Sequence, residues 1–118
     1  MAVEKTIFIW MDRRYLNLRS DKCLYVSVLE KEGLAPEDID YFILHQANQR
    51  IVEAVARRLG LTVEKFPMNL QEYGNTSSAS IPILLAELKQ SGVLKKGQKI
   101  VLAGFGAGLS WGATLIEW

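Results

Sequence analysis

His45 is the only histidine among 118 residues, and an imidazole can donate a hydrogen bond, accept one or move a proton near neutral pH. It follows an apolar run, residues 39–44, and precedes a helix-like segment. It is therefore expected at the carboxyl end of a strand, where layered α/β sheets place their ligands. A lone histidine is also commonly a hydrogen-bonded packing residue, and the ring by itself leaves both roles open. Asn75 stands between Gly74 and Thr76 in a turn before a second helix. Its carboxamide can donate to a carbonyl oxygen that gains charge, although asparagine is also a common turn former. Gly104, Gly106 and Gly108 permit close backbone approach, but they lie between two strand-like runs, and this excludes a dinucleotide fingerprint.

Arg50 and Arg57 share a helical stripe, with Arg58 adjacent, and can meet phosphate or carboxylate groups. Glu53 lies three residues after Arg50 and four before Arg57, which equally suits intrahelical ion pairs on a solvated face. Cys23, the single thiol, follows Asp21 and Lys22 without the small-residue turn that exposes a reactive thiolate at a helix start. One cysteine cannot close an intrachain disulfide, and with one histidine it makes no ordinary zinc site. No metal site is expected. Trp111 and Trp118 read as packing residues of the last strand.

The elements that must position these groups alternate along the chain. Residues 6–10 and 15–19 have strand-like composition, and residues 24–31 read as a short helix stopped by Gly33. Pro36-Glu37-Asp38 is a turn into the strand of residues 39–44, whose unbroken apolar character fits a strand buried on both faces. A helix follows, with Asn48 as N-cap, Ile51, Val55 and Leu59 at four-residue spacing beside Val52 and Ala56, and Gly60 closing it. Residues 66–70 are expected as a strand, Tyr73-Gly74-Asn75-Thr76 as a turn, and residues 78–90 as a helix with Pro82 in its first turn. Residues 99–103 form a further buried strand, residues 104–108 a glycine loop, and residues 111–118 a final strand. A loop that short implies an antiparallel hairpin. The expected fold is α/β: a layered mixed sheet with helices and a C-terminal hairpin, in one domain spanning residues 1–118.

Composition narrows the classes of function. With 49% apolar and 23% charged residues, the chain suits one globular core. Fourteen basic against thirteen acidic residues give a net charge of +1 and no footprint for nucleic acid or an anionic membrane. The apolar stretch of residues 7–11 is far too short for a signal-peptide core or a membrane span. A cytoplasmic protein is expected.

Four motifs in order carry a resemblance: His45-Gln46-Ala47-Asn48 with Arg50, Tyr73-Gly74-Asn75-Thr76-Ser77, Gly104-Phe105-Gly106-Ala107-Gly108 and Trp111-Gly112-Ala113. From residue 34 onward the chain resembles the C-terminal half of 3-oxoacyl-acyl-carrier-protein synthase III, a thiolase-like condensing enzyme. Residues 1–33 match poorly, and Phe-Gly-Ala-Gly stands where triple glycine is usual. The resemblance implies that His45 and Asn75 hold a malonyl thioester carbonyl and stabilise the enolate formed as carbon dioxide leaves. It places Phe105 beside the acyl-carrying cysteine, assigns Gly106 and Asn48 to substrate binding, and makes Arg50 and Arg57 receive acyl-carrier protein and coenzyme A. It implies acyl-CoA and carrier-protein thioesters as substrates and no resident cofactor. The nucleophilic cysteine belongs to the family's N-terminal half, which is not in this sequence, so condensation requires that half or a complementary chain. The alternative is a non-catalytic module that docks carrier protein or a second subunit. Related condensing enzymes, including plant-type polyketide synthases, also pair histidine with asparagine, so the primer class stays open.

Overall fold

The computed structural model describes the backbone of residues 6–11, 24–106 and 110–118, with side chains from Val28 onward. Among the described residues, eight elements longer than a single 3-10 turn follow in order: β1 (Thr6–Met11), α1 (Leu24–Glu32), β2 (Tyr41–Leu44), α2 (Gln49–Leu59), α3 (Leu70–Tyr73), α4 (Ser80–Gln90), β3 (Lys99–Gly106) and β4 (Ser110–Glu117). The strands form one mixed sheet in the order β1-β4-β3-β2. β2 runs parallel to β3, from Tyr41 opposite Ile100 to Leu44 opposite Ala103. β3 and β4 form the expected antiparallel hairpin, and β1 adds antiparallel to the far side of β4. The strand expected at residues 6–10 is thus present, whereas residues 15–19 and Cys23 lie outside the described residues.

Alternation along the strands assigns the two faces. Phe42, Leu44, Val101, Ala103, Ala113 and Leu115 point to one side, where they pack with Val28 and Leu29 of α1 and with Val52 and Ala56 of α2. Ile43, Ile100 and Ile116 point to the other, against Leu84 of α4 and Leu94. A sheet covered on both sides requires the apolar β2 and β3 that the sequence supplies.

The caps are those expected. Asn48 Oδ1 accepts from Arg50 N at 2.8 Å at the start of α2. Gly60, at φ 68°, ends it, with Leu61 N bonded to Ala56 O. The helix is rotated from the expected stripe, however: Val52 and Ala56 are buried, Val55 and Leu59 lie at the edge of the core, and Ile51 is 40% exposed.

Two expectations are corrected. Residues 66–70 form no strand: Val63–Lys65 is a 3-10 turn, and the chain then runs irregularly into α3. Phe66 instead lies flat on Phe42, with ring centroids 4.9 Å apart and 11° between planes. Pro67 lacks the amide that a paired strand would donate. The second correction concerns the glycine loop. β3 runs through Gly106, with Gly104 opposite Gly112 and Gly106 opposite Ser110, because extended glycines pair without side-chain crowding and recover their ladder hydrogen bonds; Ala107 and Gly108, the rest of the expected loop, lie outside the described residues.

Candidate active site

The backbone of His45 carries the parallel ladder one step beyond β2, its N–H donating to Ala103 O at 2.8 Å. The imidazole therefore stands at the carboxyl end of β2, beside the last residues of β3. Its Nδ1 lies 2.7 Å from Oγ of Ser80, the first residue of α4. Ser80 is 2% exposed, and its Oγ also accepts from Gln46 N at 3.3 Å. On the other side the ring meets Phe105 edge-on, at 5.4 Å between centroids and 72° between planes, and Phe105 in turn contacts Trp111 at 5.2 Å. The strand end, the helix start and an aromatic wall together restrict the ring.

Asn75 is positioned by backbone geometry. α3 ends at Gly74, which has φ 64° and ψ −155°, a region that side chains rarely adopt. A Cβ there would meet nothing within 4 Å, so conformation rather than space requires glycine. Asn75 Oδ1 accepts from Ser77 N at 2.9 Å, and this acceptor bond fixes which end of the carboxamide is which: Nδ2, the donor, points the other way. His45 and Asn75 line one cavity of about 360 Å³, with Ser80, Ile81, Gly104 and Phe105 among its walls.

A polar chain, buried at Gln46 and Asn69, supports the loop that carries His45. Gln46, 1% exposed, donates from Nε2 to Leu44 O at 2.8 Å and accepts from Asn69 N at 3.3 Å. Asn69 Nδ2 donates to Glu87 Oε2 at 2.8 Å. The Tyr73 hydroxyl and then the Asn69 amide hold the Glu87 carboxyl below its ordinary range, and Glu87 raises the Tyr73 phenol, chiefly through their hydrogen bond.

His45, Asn75, Phe105 and Gly106, four of the residues singled out from the sequence, meet at this cavity. Asn48, Arg50 and Arg57 do not: all three are exposed on or beside α2, and the Asn48 side chain serves as its cap. Ser80 and Gln46 escaped sequence reasoning. Gln46 sits inside a quoted motif, but nothing in its type marks a buried strut; Ser80 lies 35 positions from His45, and a serine at a helix start carries no sign of a distant partner. Beside the site, an apolar groove of about 370 Å³ runs along β3 and β4 past Ile81, Leu102, Phe105, Trp111 and Thr114. Trp111 Nε1 and Thr114 Oγ1 are buried without a hydrogen-bond partner among the described residues.

Comparison with known proteins adds ancestry to this geometry. The family model described as 3-oxoacyl-[acyl-carrier-protein (ACP)] synthase III C terminal matches residues 29–118. Beta-ketoacyl-[acyl-carrier-protein] synthase III of Clostridium perfringens is 59% identical over 92 residues, covering 78% of this chain and 28% of that protein. The Clostridium acetobutylicum counterpart is 54% identical over 91 residues, covering 77% of this chain and 28% of that protein. The crystal structure of 3-oxoacyl-[acyl-carrier-protein] synthase III from Aquifex aeolicus aligns with a TM-score of 0.77 at 47% identity, over 79% of this chain and 30% of that one. The chain thus spans a little over a quarter of the length of these relatives. A thiolase-like mixed sheet, a His–Asn cavity at its strand ends and a family match over residues 29–118 establish that the chain belongs to the 3-oxoacyl-acyl-carrier-protein synthase III family, as the C-terminal part of that fold.

Proposed function

We propose that the cavity of His45 and Asn75 is the decarboxylation half-site of a fatty-acid condensing enzyme. The observation that carries this reading is that His45 and Asn75, from separate loops, line one cavity at the carboxyl ends of β2 and β3. When a malonyl thioester loses carbon dioxide, the breaking C–C bond delivers its electron pair through the α-carbon onto the thioester carbonyl oxygen. An imidazole N–H and the Asn75 Nδ2 amide are preorganised donors for that oxygen, and each such donor contributes about 10²- to 10³-fold in rate. The α-carbon then attacks an acyl thioester, giving a 3-oxoacyl product and expelling the thiolate that carried the acyl group. That thiolate comes from a cysteine outside the described residues, in the remainder of the family fold or in a complementary chain. The apolar groove beside the site suits a covering protein surface. Substrates arrive as malonyl-acyl-carrier protein and acyl-CoA in the cytoplasm, the chemistry uses no resident cofactor, and Arg50 and Arg57 receive the acidic carrier and the coenzyme phosphates.

The test combines the chain with malonyl-acyl-carrier protein and acyl-CoA and follows the carrier by intact mass spectrometry. Decarboxylation without condensation, reduced about 10²-fold in His45→Ala and in Asn75→Ala, is expected. Condensation by the chain alone would overturn the placement of the nucleophile and point to Cys23. A folded chain that binds carrier protein but never decarboxylates it would replace this reading with that of a docking module.

A further inference from the structure

We infer that Ser80 is a positioning residue: its hydroxyl fixes the neutral His45 ring as the Nε2–H tautomer and so aims that proton into the cavity. The inference rests on the half-site proposed above, and it follows from counting protons. A serine hydroxyl has one proton and two acceptor lone pairs. The Gln46 backbone N–H can only donate, and it donates to Ser80 Oγ at 3.3 Å. The hydroxyl proton is left to donate, and His45 Nδ1 at 2.7 Å is an acceptor in line for it. Ser80 is 2% exposed, so water does not readily take over either bond, and a buried hydroxyl without partners is costly. A ring that accepts at Nδ1 carries its proton on Nε2. The placement is rigid at each end. Ser80 opens α4 with its N–H bonded to Ser77 O, and His45 is tied to Ala103 by its own N–H. Ser77 is also the residue whose N–H orients Asn75. One short segment, residues 75–80, therefore sets the direction of both donors.

The single histidine of the chain permits a direct test, because a long-range proton–nitrogen spectrum of the uniformly ¹⁵N-labelled protein contains one imidazole. At about pH 8.5, where an ordinary imidazole is neutral, the wild-type ring is expected in the Nε2–H form. Ser80→Ala should lower the ratio of Nε2–H to Nδ1–H by about five- to tenfold, the worth of one buried hydrogen bond. Ser80→Thr, which keeps the hydroxyl, should restore it. A wild-type ring in the Nδ1–H form, or a Ser80→Ala spectrum indistinguishable from wild type, overturns the inference. The outcome is separate from that of the decarboxylation assay. An Nε2–H ring in a chain that does not decarboxylate leaves the Ser80 contact standing and removes the half-site; an Nδ1–H ring in a chain whose decarboxylation needs His45 does the reverse.

Discussion

Gln46→Leu removes the amide that braces the His45 loop while nearly preserving side-chain length and volume. Two partners lose their bonds: the Leu44 carbonyl, accepting at 2.8 Å, and the Asn69 N–H, donating at 3.3 Å. Both lie beside a side chain that is 1% exposed, and Asn69 itself is 7% exposed, so solvent cannot readily replace the amide. An unsatisfied buried donor or acceptor costs about 1–3 kcal/mol. Two of them cost about 4 kcal/mol together, and fully burying a leucine side chain returns about 1.5–3 kcal/mol. The net loss is about 2 kcal/mol, which for a chain of this size lowers Tm by about 8 °C. Urea unfolding followed by tryptophan fluorescence reads the change as a lower midpoint at unchanged slope. A midpoint shift worth less than about 0.5 kcal/mol, the range of an ordinary surface substitution, would refute the reasoning and show that water reaches these groups.

Gly74→Ala forces a side chain into a backbone region that disfavours it, at about 1–3 kcal/mol; malonyl decarboxylation should fall toward the level of Asn75→Ala, and an unchanged rate would show that the turn does not position the carboxamide. Glu87 contributes stability above the carboxyl value of the unfolded chain, and that contribution is lost as pH falls through its lowered folded value. The stability difference between wild type and Glu87→Gln should therefore shrink between pH 7 and pH 3.5, and a pH-independent difference in urea midpoints would contradict the assignment. Arg50→Glu should slow association with malonyl-acyl-carrier protein by about tenfold at low ionic strength and lessen its salt dependence; rapid-mixing kinetics at two salt concentrations would expose an unchanged rate.

Legibility in the sequence followed the physical range of each signal. The caps of α2 depend on residues within one turn, and Asn48 and Gly60 announced both ends. The burial of β2 and β3 on both faces showed in their apolar runs. Residues 66–70 misled because Phe66 and Leu70 have strand composition, whereas the decisive fact is the seat of Phe66 on Phe42, a contact across 24 residues. The glycine run misled in the opposite sense: glycine signals a loop locally, whereas Gly104 pairs with Gly112 across the hairpin. Within the candidate site, the loop positions of His45 and Asn75 were legible from their place after a strand and in a turn, and their pairing was an expectation from resemblance. The roles of Ser80 and Gln46 depend on bonds made across the fold and leave no local trace.

The parallel pairing of β2 with β3 also bears on how the chain assembles. Tyr41 meets Ile100 only after the intervening α2, α3 and α4 have been gathered, which makes this a contact of high sequence separation and slow closure. The β3–β4 hairpin, by contrast, closes locally. Since β4 also holds β1, the last described strand in chain order is the one that joins the first described strand. During translation at about 5–20 residues per second, β1 and β2 emerge seconds before their partners, with apolar edges open to other chains.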